Sequence, residues 1–176
     1  MSYIKLTNRA VLTVCGADRA KFLQGLVSND TAKVTDDKLV YALLLTPQGK
    51  YYCDLFIWQD GECFFVDCPS DKLEPLTKKL NMYKLRSDVK IAPSEMCVMA
   101  SFEEVADCQS FADPREPELG YRLYGQWDNV TQATQYNDKR ISLGVPEHGQ
   151  DLIPDKSIPL ECHMDKELSI PLVEEL

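Results

Sequence analysis

An α+β fold, with helices covering an antiparallel sheet, is predicted by two observations. Three β-rich runs, YALLLT (Tyr41 to Thr46), YYCDLFIW (Tyr51 to Trp58) and CFFVDC (Cys63 to Cys68), are joined by the turn sequences Pro47-Gln48-Gly49-Lys50 and Asp60-Gly61, which reads as a meander. Segments with apolar residues at helical spacing flank these strands, and such helices must bury one face on the sheet.

In chain order, Tyr3 to Leu6 and Ala10 to Val14 are expected strands around the turn Thr7-Asn8. Asp18 is placed to cap a helix running to about Val27, with Ala20, Phe22, Leu23 and Leu26 as its apolar face. Gly25 inside that helix costs about 1 kcal/mol relative to alanine, so a close backbone approach is expected there. Ser28-Asn29-Asp30-Thr31 then stops the pattern. It reads either as a turn or as a polar lip facing a ligand.

After the meander, Pro69-Ser70-Asp71 opens a helix with Leu73, Leu76, Leu80 and Tyr83 on one face, and Pro75 is tolerable near its first turn. Ser87 to Ala92, Met96 to Ser101, Gln109 to Ala112 and Leu119 to Gly125 follow as strands. Asp128 to Leu143 is an expected helix carrying Val130, Ala133, Tyr136 or Asn137, and Arg140. From Gly144 the prolines indicate loops, and DKELSIPLVEEL offers one short terminal element. The expected organisation is one domain over residues 1–164, in subdomains of about 1–92 and 93–164, followed by a tail over 165–176.

At 176 residues and 44% hydrophobic, the chain can bury a core. A formal charge of −9 excludes a sequence-independent nucleic-acid surface, which needs clustered cations. The start MSYIKLTNRA does not read as a targeting segment and no apolar run is long enough for a membrane-spanning helix, so a cytoplasmic protein is expected. The seven cysteines include no C-x-x-C pair and are expected to be reduced, mostly buried small hydrophobes. Cys162-His163 lacks two further ligands, so no metal site is expected.

Serine-hydrolase, Walker and Rossmann motifs are absent. The chemistry-bearing residues left are Asn29 and Asp30 at a helix end, Asp54 within an apolar strand, and Arg86 at a helix-to-strand junction. Strict alternation puts Tyr52, Asp54 and Phe56 on one face of their strand. A carboxylate among aromatics suits a flat heterocycle with N–H donors, and equally an exposed sheet face. Arg86, Arg122 and Arg140 are candidates to hold a carboxylate, or to form surface or structural ion pairs.

FLQGLVSND (Phe22 to Asp30), YALLLTPQGKYYCDLFIW, YKLRSDVKI (Tyr83 to Ile91), DPREPELGYR (Asp113 to Arg122) and RISLGVPEHGQDLIPDKSIPLE (Arg140 to Glu161) together resemble, in order and spacing, the YgfZ branch of the folate-binding glycine cleavage T-protein superfamily. The resemblance implies intertwined ferredoxin-like α/β units around an opening for tetrahydrofolate or a derivative. Asn29, Asp30, Tyr52, Asp54, Arg86, Arg122 and Arg140 are the implied folate contacts. It also implies an accessory role with iron-sulfur assembly proteins, supporting tRNA modification that depends on clusters. A monomer or weak homodimer is expected. A eukaryotic member would work in the mitochondrial matrix.

Two departures bear on activity. The T-protein pattern G-G-x-x-D-D stands here as Gly49-Lys50-Tyr51-Tyr52-Cys53-Asp54, and Y-T-G-E-x-G-F-E as Glu118-Leu119-Gly120-Tyr121-Arg122. Aminomethyl transfer, with Asp54 as its one acidic candidate, is therefore the secondary expectation. The branch's K-G-C-[YF]-x-G-Q-E motif and its β-barrel do not follow Pro159-Leu160-Glu161, and Cys162 does not replace the motif cysteine. Truncation or frameshift is the expected origin of this ending. An interaction scaffold, binding through surface that the barrel would cover, is the third expectation.

Overall fold

In the computed structural model, which describes residues 3–127, 134–162 and Met164, the meander forms as expected and becomes part of a larger sheet. Strands β1 (Ile4–Lys5), β2 (Arg9–Cys15), β3 (Val40–Leu45), β4 (Tyr51–Asp60), β5 (Cys63–Pro69), β6 (Lys90–Ser94), β7 (Cys97–Ser101), β8 (Gln109–Ala112) and β9 (Tyr121–Gly125) make two antiparallel sheets, ordered β3-β4-β5-β2-β6 and β1-β7-β9-β8. The helices are α1 (Arg19–Gln24), α2 (Leu73–Tyr83) and α3 (Thr134–Ser142). Pro93 is accommodated because β6 is an edge strand, where a missing N–H breaks no ladder.

The five-stranded sheet is buried on both faces, which is why β4 is nearly continuously apolar. On one face Leu12, Val14, Leu55, Ile57 and Val66 pack with Phe22 and Leu23 of α1 and Leu76 and Leu80 of α2. On the other, Val11, Tyr41, Leu43, Phe56 and Trp58 pack against Val98, Ala100, Phe111 and Tyr124 of the second sheet. The α+β expectation holds.

The sheets do not divide the chain at residue 92. The N-terminal strand β1 pairs with β7 in the second sheet, with Ile4 opposite Ala100, so the two halves interlock. At Gly120, φ is +77° and an added Cβ would collide with the Ser101 carbonyl, so glycine is required where β9 meets β7.

Several local expectations change. Helix α1 ends at Gln24, and Gly25 is its right-handed C-cap, where a Cβ would make ordinary contact, so no close approach explains that glycine. Asp18 does not cap α1; its carboxylate accepts the Asp88 N–H at 2.7 Å. The strand expected at Leu119 starts at Tyr121, after a 3-10 turn at Pro117–Leu119. Cys15 and Cys63 form a disulfide, contrary to the reduced expectation. The β2–β5 register sets them opposite each other, a pairing hidden by 48 residues of separation. Val130, Ala133 and the 165–176 tail lie outside the described residues.

Candidate functional site

Between the two sheets lies a seam of buried charge. Alternation along β5 sends Phe64, Val66 and Cys68 to the helical side and Asp67 to the seam. Along β9, Leu123 is buried on the opposite face with Met99 and Val105, while Arg122 and Tyr124 face the seam. Asp54 is delivered by β4 in the same way, beside Phe56 and Trp58 on the seam side.

Arg9, at the start of β2, joins the two strand carboxylates. It donates through Nη1 to Asp54 Oδ1 at 2.6 Å and through Nε to Asp67 Oδ1 at 2.7 Å. Arg122 and Tyr124 reach Asp67 Oδ2 from the opposite sheet, at 2.7 Å and 2.8 Å. Arg115, in the loop after β8, holds Asp113 through two guanidinium nitrogens and donates to the Tyr136 hydroxyl at 2.8 Å. The Tyr41 hydroxyl donates to Asp54 Oδ2 at 3.0 Å. All three guanidiniums lie near the Phe56 ring, with Arg122 closest at 3.8 Å from its centroid.

Three arginines are balanced by three aspartates, so the seam carries no net charge to attract an anion or a cation. Burial pushes the Asp54 carboxyl up, but Arg9 beside it, helped by Arg115 and Tyr41, outweighs that and holds it at about 2. Burial acts likewise on Asp113, where Arg115 and Arg122 win and lower it. Burial raises the thiols of Cys53 and Cys68, the latter to about 12, so neither is an activated nucleophile.

The mouth of the seam is closed by the segment after α3. Tyr51 N–H donates to Ser157 O, and Asp155 N–H to Tyr51 O, both at 2.8 Å. Tyr51 Oη meets His148 Nδ1 at 2.8 Å, and the other ring nitrogen of His148 lies 3.1 Å from Asp71. Beneath, a cavity of about 20 Å³ remains, lined in part by Arg9, Asp54, Phe56, Arg115 and Arg122. That is room for about one water, whereas small-molecule pockets run to roughly 300–1,000 Å³. With its polar groups already paired, the seam in this arrangement does not fit a pterin.

Of the implied folate contacts, Asp54, Arg122 and Arg140 line this cavity, and Asn29, Asp30, Tyr52 and Arg86 do not. Tyr52 is turned away because a bulge opposite Leu44 and Leu45 puts two β4 residues where strict pairing allows one, reversing the alternation before Cys53. Tyr51 therefore takes the seam side, and the Tyr52 ring lies under the ammoniums of Lys72 and Lys79.

Asn29 and Asp30 serve the backbone. Ser28 Oγ accepts from Leu43 N–H and Asn29 Nδ2 donates to Tyr41 O, both at 2.8 Å, satisfying the free edge of β3. Asp30 caps the 3-10 turn Thr31–Lys33 through Ala32 N–H. Arg140 is buried at the mouth, paired with Asp151 at 2.9 Å and Glu147 at 3.0 Å, so its charge is already neutralised. Arg86 is exposed on the other side of the α-helical layer, in a groove with Asp18 and Tyr83.

Sequence reasoning missed Arg9, Asp67, Asp113 and Arg115. Asp67 could have been found by the signal that marked Asp54, a lone acid in an apolar alternation. Arg9 carried no such signal.

No protein-family model matches the chain. Among curated proteins it is similar to the mitochondrial iron-sulfur cluster assembly factor IBA57 of Mus musculus, at 30% identity over 91% of this chain and 55% of that protein. It is also similar to the IBA57 homologues of Mycosarcoma maydis, at 31% over 92% and 47%, and of Neurospora crassa, at 27% over 92% and 45%. Among solved structures, the glycine cleavage aminomethyltransferase T of Bartonella henselae superposes with a TM-score of 0.73 at 15% identity, covering 95% of this chain and 57% of that one. Along most of its length the chain thus resembles IBA57 assembly factors and shares the fold of a T-protein, consistent with a resemblance to the YgfZ branch. It spans about half the length of the curated relatives it matches. Within this T-protein-like fold, the seam lies where the two interlocked sheets meet.

Proposed function

We infer that this chain is an accessory factor in iron-sulfur cluster assembly, acting through protein partners of that process and not through catalysis at the seam. The observation that carries the reading is the match to IBA57 proteins over 91% or more of the chain. Non-catalytic action is supported by the seam itself: Asp54 is held ionised between Arg9 and Tyr41, so it is a weak base at neutral pH. Aminomethyl transfer is supported only by the fold of the Bartonella protein. Because the curated relatives are named as mitochondrial, the matrix is the proposed place of action in a eukaryotic source.

The test is replacement. In cells depleted of their own IBA57, this chain directed to the mitochondrion should restore the activity of a cluster-dependent enzyme. Failure despite folded, correctly delivered protein would sink the reading.

Folate binding is the finer part of the inference, and it requires the seam to open. The superfamily fold and the position of Asp54 support it; the 20 Å³ cavity opposes it in the closed arrangement. Trp58 stacks on Tyr124 at 3.9 Å, next to the seam, so its fluorescence would register opening. Saturable change on titrating tetrahydrofolate supports the folate part, and a flat titration removes that part alone.

A further inference from the structure

On the face of the molecule away from the seam, the start of α1 and the connection from α2 to β6 enclose an open groove of about 460 Å³. Its walls are Lys21 and Phe22 from α1 and the run Tyr83, Lys84, Leu85, Arg86 and Ser87, with Asp18 at one end. Lys21, Lys84 and Arg86 have no ion pair or side-chain hydrogen bond among the described residues. The one acid of the wall, Asp18, already accepts the Asp88 N–H. Three unpaired cations thus sit together on a chain whose formal charge is −9.

The apolar side chains at the same place are unusually bare. Leu85 is 87% exposed, Met82 72% and Tyr83 49%. Leu85 also has φ +34°, toward the left-handed region that β-carbon-bearing residues avoid. No intrachain packing of the leucine side chain offsets that backbone cost. An exposed apolar cluster rimmed by charge, here three cations to one acid, is the usual form of a protein-contact surface.

We propose that this groove docks an acidic protein segment whose apolar side chain packs on Tyr83 and Leu85 while its carboxylates pair with Lys21, Lys84 and Arg86. Charge complementarity selects this occupant: an anionic segment is attracted locally although the molecule as a whole repels it, so binding is confined to the groove. The docking is independent of whether the seam opens and of the assembly role.

The test is fluorescence polarisation of the full chain with three labelled peptides: an acidic one with a central leucine, the same peptide with serine for that leucine, and a lysine-rich one that keeps the leucine. Saturable binding of the first is expected, with the other two weaker by about tenfold or more. Lys84→Glu with Arg86→Glu, and separately Leu85→Gly, should each weaken it by about tenfold or more as well. Glycine suits φ +34° and keeps the fold, so loss of binding there reports the side chain. The proposal is overturned by absence of binding, by equal binding of the serine peptide, or by unchanged affinity in Leu85→Gly. Light scattering that finds a dimer dissolved by Leu85→Gly would overturn it too, since the occupant would then be a second copy.

Discussion

Arg122 and Arg86 are two arginines picked out by the same sequence reasoning, and they end in opposite environments. Arg122 is buried between sheets, shares Asp67 with Arg9 and lies 3.8 Å from the Phe56 ring centre. Arg86 stands in the open groove with no partner among the described residues. A buried guanidinium must be paired, because leaving it unpaired costs several kcal/mol, whereas an exposed one is solvated by water. The difference teaches where each can act: Arg122 is committed to joining the sheets, and Arg86 is available to something outside the chain.

The sharpest way to break this contrast is Asp67→Ala. Removing the carboxylate takes a partner from Arg9, Arg122 and the Tyr124 hydroxyl together. Urea unfolding should show a loss of about 3–5 kcal/mol. A loss below 1 kcal/mol would mean that the seam is not what holds the sheets together.

Acid should act on the seam next. Asp54 is held at about 2 and Asp113 below its ordinary value, both beneath the unfolded-state range near 3.9. Their stabilisation is therefore full above about pH 4 and is lost as pH falls through that value toward about 2, with Asp54 contributing on the order of 2 kcal/mol. Thermal melts across this range should show the fall, and Asp54→Asn should flatten it. An unchanged slope in that variant would contradict the assignment.

A smaller effect is expected from Tyr136→Phe, which removes the acceptor of Arg115 Nη2 while leaving its pair with Asp113. About 1 kcal/mol should be lost by urea titration. Smallest of all, Arg86→Ala should change stability by less than about 0.5 kcal/mol, since its side chain has no partner among the described residues. A large loss there would erase the distinction between the two arginines.

Much of the architecture was legible because it is local. The meander declares itself through its turns, and the helices through their periodic leucines. The site was less legible, because it depends on register. Tyr52 was placed beside Asp54 by strict alternation, and one bulge moved it to the opposite face. Asn29 and Asp30 were recognised as unusual, but nothing local says that β3 is an edge strand whose backbone groups need them. Cys15 and Cys63 become neighbours only once β2 and β5 are paired.

By itself, then, the sequence determined the fold class, the main strands and helices, and the resemblance to the superfamily, because these follow from short-range periodicity and from ordered motifs. Tertiary structure alone decided which charges meet. The β1–β7 pairing interlocks the halves, Arg9, Arg115 and Arg122 converge on Asp54, Asp67 and Asp113, and the implied opening is reduced to room for one water. Burial makes that decision: a charge excluded from water must find its opposite, and only the packed sheets fix which one lies within reach.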